Sequence, residues 1–106
     1  MPELEAGGQY SAQVTLTNPT SKSFSYTAEL YLGLPKVVSS GVKSFSLGPG
    51  ISAVISFPVT MPGDEGDYPV YLDVFVGVNL IAAYQAAENV SITIQPEVDI
   101  GPIIWE

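Results

Sequence analysis

Few side chains in this chain could carry out catalysis. It has no histidine and no cysteine, which excludes histidine bases, Ser–His or Cys–His nucleophiles and thiolate metal sites. A serine–lysine pair can be drawn from Ser39 or Ser40 and Lys43, but on a serine-rich edge we interpret it as incidental. The glycines at 48–50 indicate a turn and not a phosphate-binding loop. We therefore expect a protein that is not an enzyme and needs no cofactor.

The densest group of carboxylates lies in the segment MPGDEGD. Asp64, Glu65 and Asp67 offer the oxygen ligands that Ca²⁺ prefers. Their spacing lacks the alternating ligand order of calcium-binding loops, so we favour a solvated acidic turn and keep calcium as the weaker interpretation. Asn89 starts an Asn-Val-Ser glycosylation pattern, which would be used only on an extracellular route.

Charge and composition narrow the classes of partner. Three lysines, no arginine and eleven acidic residues give a net charge of -8, so the basic footprint of a nucleic-acid binder is missing. Anionic membrane surfaces are excluded for the same reason, and no apolar run approaches the roughly 20 residues of a membrane span. Only 13% of residues are charged and 46% are apolar, which suggests that something else covers part of the protein surface.

Alternation of apolar and polar residues dominates the chain, and no segment has sustained helical periodicity. In the stretch 9–17, Tyr10, Ala12, Val14 and Leu16 share one face, as in a half-buried strand. The same pattern predicts about seven short strands and an all-β, immunoglobulin-like antiparallel sandwich. The predicted strands are 9–17, 24–33, 42–48, 51–60, 68–77, 78–86 and 89–95, with Pro58 marking an edge or a bulge and Val90, Ile92 and Ile94 pointing inward.

Large aromatic side chains occupy both faces of the predicted strand 68–77. Tyr71 and Phe75, beside Tyr31 on a neighbouring strand, predict a partly exposed aromatic patch. We favour surface aromatics that support cross-strand pairs. The functional alternative is a contact for a protein or a stacking platform for a sugar.

Three stretches of the sequence share features with a known family: AGGQYSAQVTLTNPTSKSFSYTAELYL, FSLGPGISAVISFPVTMPGDEGDYPVYLDV and NVSITI. Together they resemble the CARDB-like (cell-adhesion-related) modules of bacterial and archaeal surface proteins. The resemblance spans about residues 6–95. It implies an immunoglobulin-like β-sandwich that serves as a binding or spacer module without catalysis.

The chain departs from these modules at its start. They begin with a short apolar strand, whereas only MPELE precedes Ala6, a segment that is too short and too polar for that role. The missing character appears in the tail, residues 96–106, where Pro102 must turn its nitrogen outward or mark a bulge. The tail's large apolar residues are Val98, Ile100, Ile103, Ile104 and Trp105.

We therefore divide the chain into a lead (1–5), a sandwich (6–95) and a donor-strand tail (96–106). We favour insertion of the tail into a neighbouring copy, which makes the protein a head-to-tail homopolymer in an extracellular fibre or biofilm matrix. The alternatives are a tail that completes its own sandwich or a repeat array, and an ordinary terminal strand. Rival functions are an adhesion module for surface glycans or matrix proteins, and a virion-associated domain. No signal peptide is visible, so the expected extracellular or cell-surface location requires a processed chain.

Overall fold

A computed structural model of the protein describes residues 2–94, 96, 98 and 100–105. These residues form strands and connecting turns without a helix, so the described chain has no helix that could span a membrane. The predicted all-β class is confirmed. The strands are β1 (Glu3–Glu5), β2 (Gln9–Thr17), β3 (Phe24–Leu32), β4 (Val38–Leu47), β5 (Ser52–Thr60), β6 (Gly66–Tyr68), β7 (Val70–Val76), β8 (Asn79–Gln85) and β9 (Val90–Thr93).

The strands form three sheets whose arrangement is consistent with a β-sandwich. One sheet has the order β4-β3-β7-β8, and all its neighbours are antiparallel. A second consists of β2 and β5, paired antiparallel along nine residues. A small third sheet, β1-β9-β6, pairs β1 with β9 in parallel. The immunoglobulin-like order of the strands stays a prediction.

The core lies between the two larger sheets, which are the four-stranded sheet and the long-stranded pair β2-β5. It is built by the alternating residues that the sequence pattern predicts to face inward. Phe57 of β5 and Ala28 of β3 are fully buried, and Leu32 is 2% exposed. Ile92 joins the same cluster from β9. The predicted inward orientation therefore holds for Val90 and Ile92, but it is wrong for Ile94, which follows the end of β9 and is 57% exposed.

Prolines set the ends and edges of two strands. Pro58 lies in β5, which is an edge strand in the described part of the chain, as predicted. Pro69 divides the predicted strand 68–77 into β6 and β7, which belong to different sheets, because proline cannot continue a ladder of hydrogen bonds. A tight turn follows β7: Gly77 has a φ of 61°, which suits the two-residue connection from β7 to β8.

The start of the chain differs from the prediction. The lead is not strandless, because Glu3–Glu5 pairs with Ser91–Thr93 as β1. It does not lie along β2, however. The Gly8 N–H donates to the Glu5 carbonyl (3.0 Å), and this turn reverses the chain between β1 and β2. In the described structure β2 is thus paired with β5 alone.

Candidate functional site

An apolar groove of about 570 Å³ opens between the two larger sheets. Its walls are β2 on one side and β8 on the other, and its floor is formed by the inner faces of β3, β4 and β7. Almost every lining group is a hydrocarbon or an aromatic ring, so the groove suits an apolar occupant. The lining residues are Leu16, Thr17, Pro19, Thr20, Phe24, Tyr26, Phe45, Leu47, Val74, Val76, Asn79, Ile81 and Ala82.

The groove exists because the sandwich is closed along one side only. On one side β4 approaches β5 and the two sheets meet. On the other side, β2 and β8 each end their sheet in the described part of the chain. As a result the inward residues of β2, Ala12, Val14 and Leu16, are only half-buried, and every residue of β8 is exposed, including Ile81 at 53%.

Aromatic rings make up part of the groove floor. Tyr26 stacks on Phe45 with 5.4 Å between ring centroids, and Phe24 tilts against Tyr26 at 6.1 Å. Tyr26 is buried, whereas Phe24 and Phe45 keep partly exposed surfaces. Because rings held by one another offer a fixed contact surface, this floor is preformed for an inserted side chain.

Asn18 holds the rim of the groove from a fully buried position. Its Nδ2 donates to the carbonyls of Lys22 (2.6 Å) and Leu47 (3.0 Å), which ties the turn after β2 to the end of β4. Its Oδ1 accepts the N–H of Thr20 (3.0 Å) and its hydroxyl (2.7 Å). All the hydrogen-bonding capacity of the amide is thus used, and Thr20 is fixed on the rim.

The described residues of the tail are exposed and belong to no strand. Exposure of large apolar side chains to water is unfavourable. Five of them on one short segment form a hydrophobic surface that favours binding to another apolar surface. The protein is 80 Å long and 23 by 22 Å across. The nine residues of β2 span roughly 30 Å, so much of this length lies beyond the ends of β2. The exposed fractions are Val98 80%, Ile100 83%, Ile103 78%, Ile104 78% and Trp105 90%.

The groove and the tail lie at opposite ends of the sandwich. The groove pole is the end at which β2 finishes with Thr17 and Asn18. The tail pole is the end at which β2 begins: there the Ala6 N–H donates to the carbonyl of Thr93 (2.9 Å), the last residue of β9. Since β9 runs parallel to β1 and therefore opposite to β2, the chain leaving Thr93 points away from the groove pole.

The predicted aromatic patch is only partly assembled. Tyr31 and Tyr71 are direct cross-strand partners and their rings stack at 5.3 Å, while Phe75 lies farther along β7, opposite Thr27. Tyr31 is only 8% exposed, and the Lys36 ammonium sits 4.7 Å from its ring centroid. The structure thus leaves Tyr71 and Phe75 half-exposed and covers Tyr31.

Polar groups around Tyr31 are paired with one another. The Tyr31 hydroxyl donates to Asp73 Oδ2 (3.2 Å), and both burial of the ring and the nearby Asp73 charge raise the pKa of Tyr31. Lys36 Nζ donates to Glu29 Oε1 (2.7 Å) and the Ser39 hydroxyl to Oε2 (2.5 Å). These hydrogen bonds lower the pKa of the Glu29 carboxyl, and the same bond raises the pKa of Lys36.

The acidic turn does not gather its carboxylates. Among the described residues no three acidic side chains lie close enough to hold a metal ion, and this includes Asp64, Glu65 and Asp67. Glu65 Oε1 instead accepts the N–H of Ile94 (2.9 Å), and the Asp64 carbonyl accepts the hydroxyl of Tyr68 (3.0 Å). Glu65 thus holds the backbone of Ile94, just before the tail begins.

The remaining sequence motifs stay apart in the fold. Ser39 and Ser40 are four and three residues from Lys43 on one strand, which separates them by roughly 10–13 Å. That distance is too long for a serine–lysine pair. Asn89 is exposed in the connection between β8 and β9, so its glycosylation pattern is accessible.

Sequence reasoning missed the groove walls. Asn18 lies between the predicted strands 9–17 and 24–33, and Ile81 and Ala82 lie within the predicted strand 78–86, but no local pattern shows which strand edge will lack a partner. One signal was present: the stretch 78–86 has apolar residues on both faces, which is unusual for an edge strand.

No protein-family model matches the chain, and a search of curated proteins finds no match. The resemblance to CARDB-like modules therefore rests on the sequence stretches alone. Function has to be argued from the groove and the tail.

Proposed function

We propose that this protein is a non-enzymatic structural subunit that polymerises head-to-tail, with the tail of one copy completing the sandwich of the next. The observation that carries the proposal is a match within one chain. An apolar groove lies between two strand edges that have no partner in the described part of the chain, and an exposed apolar segment leaves the opposite pole. The CARDB-like assignment belongs to the same proposal, because the strand that those modules have first is the one β2 lacks.

The chemistry of such a contact is strand addition. An extended peptide pairs with a free sheet edge through main-chain hydrogen bonds, and its alternate side chains fill the groove behind that edge. Residues 98–105 would extend roughly 25 Å, which is close to the length of β2. A second copy therefore supplies an occupant of the right length and polarity.

The geometry favours a neighbouring copy over the chain's own sandwich. The tail leaves the pole farthest from the groove, in a direction that carries it away. A tail filling its own groove would have to reverse directly after Thr93 and return along β2. Its described residues are instead extended from the domain and exposed.

Repetition of this contact gives an open fibre. Each copy has one tail and one groove on different surfaces, so the contact is heterologous and continues unless its rotation closes a ring. Filling the groove also removes two exposed sheet edges that would otherwise pair nonspecifically. An extracellular fibre or biofilm matrix fits a chain that has few charges and no cysteine to be oxidised.

The second candidate function is binding of a glycan or a surface protein through Tyr31, Tyr71 and Phe75, in an adhesion or virion-associated module. The stacked pair Tyr31–Tyr71 is the observation in its favour. It carries less weight than the groove because Lys36 covers Tyr31 and leaves a small aromatic surface. Glycan-array binding that is lost in Tyr71→Ala would support this alternative.

The decisive experiment is truncation after Gln95. Intact protein should form filaments in electron microscopy and a concentration-dependent size distribution. The truncated chain should give unstable or aggregating monomers, and a synthetic peptide of residues 96–106 should restore their stability by occupying the groove. A peptide of the same composition in scrambled order is the matched control.

Trp105, the only tryptophan, reports where the tail lies. Its fluorescence should change with protein concentration if tails engage neighbouring copies. A protein that remains monomeric over a wide range of concentrations contradicts the proposal. A concentration-independent monomer in which Trp105 is immobilised, as its fluorescence anisotropy would show, means instead that the tail fills its own groove.

A further inference from the structure

We propose that the inserted tail runs antiparallel to β2 and directs its even-numbered residues, 98 to 104, to the inner face of the β2 sheet, with Val98 in the groove. This inference rests on the proposed function and specifies the interface that joins two copies. It follows from three features of the structure: the hydrogen-bonding phase of the free β2 edge, the side-chain pattern of the tail, and the position of the two poles.

The first feature is the phase of the β2 edge. In an antiparallel pair, residues alternate between positions that exchange hydrogen bonds with the partner and positions that do not. Ser11 pairs with Pro58, which has no N–H, so this pair does not exchange hydrogen bonds. At the other end of β2, the Asn18 N–H donates to the carbonyl of its partner Ile51 (3.0 Å). The even residues of β2 thus bond to β5. Facing the free edge are the backbone groups of Ser11, Gln13, Thr15 and Thr17.

The same alternation decides which residues face each other inside. The inward side chains of β2 are the even ones, since Ala12, Val14 and Leu16 pack against the core. An added antiparallel strand must therefore place its own inward residues opposite these even positions, where no hydrogen bonds form between the two strands. Its outward residues must carry the bonds to the odd positions of β2.

The second feature is the pattern of the tail. Its even positions are Val98, Ile100, Pro102 and Ile104, all apolar. Pro102 cannot donate a hydrogen bond. When the even-numbered residues face inward (the even phase), Pro102 takes a position at which no hydrogen bond to β2 is required. The odd phase would leave a backbone bond unmade at Pro102. It would also turn the acidic side of the tail, Glu97 and Asp99 in the sequence, into an apolar groove.

The third feature is direction. The chain leaving β9 runs opposite to β2 and away from the groove pole. A copy stacked in the same orientation beyond the tail pole presents its groove pole to this tail. The tail then enters beside Thr17 and proceeds toward Gln9, which is antiparallel to β2. Parallel entry would require an inverted neighbour, and alternating inversion joins two tail poles and ends the fibre.

Full overlap of the apolar stretch with β2 defines the register. Val98 lies opposite Leu16, where the aromatic floor is nearest, and the compact Pro102 lies opposite Ala12. Ile104 then lies opposite Tyr10 at the tail pole. Trp105 is directed to the outer surface of the sheet, so it stays accessible to a polar quencher in the assembled fibre.

Two adjacent isoleucines test the phase. Ile104→Asp should raise the concentration needed for filament formation by at least about tenfold, because it forces a carboxylate against the inner face of the β2 sheet. Ile103→Asp is the matched control and should leave that concentration within about twofold, since position 103 faces outward. Both side chains are exposed in the free subunit, so circular dichroism should show an unchanged fold. The reverse ranking of the two variants overturns the phase.

Engineered cysteines test the direction, because the chain has none of its own. Filaments are grown from equal mixtures of a donor variant, Val98→Cys or Ile104→Cys, and an acceptor variant, Leu16→Cys or Tyr10→Cys. The antiparallel interface predicts disulfide-linked dimers for 98 with 16 and for 104 with 10. Dimers for 98 with 10 and for 104 with 16 overturn it.

Different results would contradict the proposed function and the proposed interface. An intact protein without filaments removes the proposed function before the cysteine mixtures are informative. Filaments that depend on the tail but show the odd phase or parallel linkages retain the function and reject this interface.

Discussion

Leu16 of β2 and Ile81 of β8 line opposite walls of one groove, although their strands belong to different sheets. Neither strand has a second partner in the described part of the chain. The side chains that a closed sandwich would bury between them are accordingly half-buried or exposed. The groove is thus a gap between the open edges of the two sheets, and its position accounts for the proposed assembly.

Filling the groove from its own wall should prevent assembly. Ala82 lines the groove and pairs with the inward Val74, so Ala82→Trp would occupy the space intended for the tail. Because Ala82 is exposed, the ring can be accommodated without displacing buried groups. We expect monomers in sedimentation and no filaments at concentrations at which the unaltered protein polymerises.

Ala83→Trp is the matched control for this substitution. Ala83 adjoins Ala82 on β8, but it pairs with Asp73 and faces the outer surface of the sheet. It should polymerise normally. Equal loss of filaments in both variants would mean that β8 is sensitive to any large side chain, and would count against the groove as the assembly site.

Removal of the Asn18 amide should destabilise the groove pole. Asn18→Ala deletes the bonds to Lys22, Leu47 and Thr20 and leaves a buried carbonyl without its donor. We expect a loss of about 2–3 kcal/mol in the free energy of unfolding, measured by urea denaturation. Thr20→Val removes the hydroxyl, which bonds to Asn18 Oδ1 and to the exposed backbone of Lys22, and should cost about 1 kcal/mol. A loss for Asn18→Ala no larger than for Thr20→Val would contradict this role.

The ion pair on the outer face should make stability depend on acid. The pKa of Glu29 is lower in the folded state than its ordinary 4.5, because of hydrogen bonds from Lys36 and Ser39. A lowered folded pKa contributes stability that is present above about 4.5 and is lost as the pH falls through the folded value. Glu29→Gln should therefore cost at most about 1 kcal/mol at neutral pH and progressively less in acid.

This prediction is measured by urea denaturation of Glu29→Gln and the unaltered protein across the acidic range, at concentrations too low for assembly. Lys36→Met should show the same convergence in acid, since it removes the other half of the pair. The Lys36 ammonium is itself 47% exposed, which keeps the effect small. A difference between Glu29→Gln and the unaltered protein that grows as the pH falls would contradict the assignment.

Local patterns were sufficient for the strands and their faces. Alternation of side chains identified the inward residues Val14, Phe57 and Leu72, because the pleat alone directs successive residues to opposite sides. Pro58 marked an edge correctly, since the missing N–H is a local property. Alternation failed where a strand ended or changed sheet, as at Ile94 and Pro69, because those points depend on which distant strand is available as a partner.

By itself, the sequence determined the all-β class, the apolar character of the tail and the lack of histidine and cysteine chemistry. Each of these is a property of single residues or of their spacing. Only the tertiary structure decided that the outer edges of β2 and β8 lie across the groove without a partner among the described residues, and that Asn18 holds the rim between them. It also decided that the chain leaves Thr93 away from the groove pole. Strand pairing joins residues far apart in the chain, so only the folded protein shows what PEVDIGPIIWE could pack against.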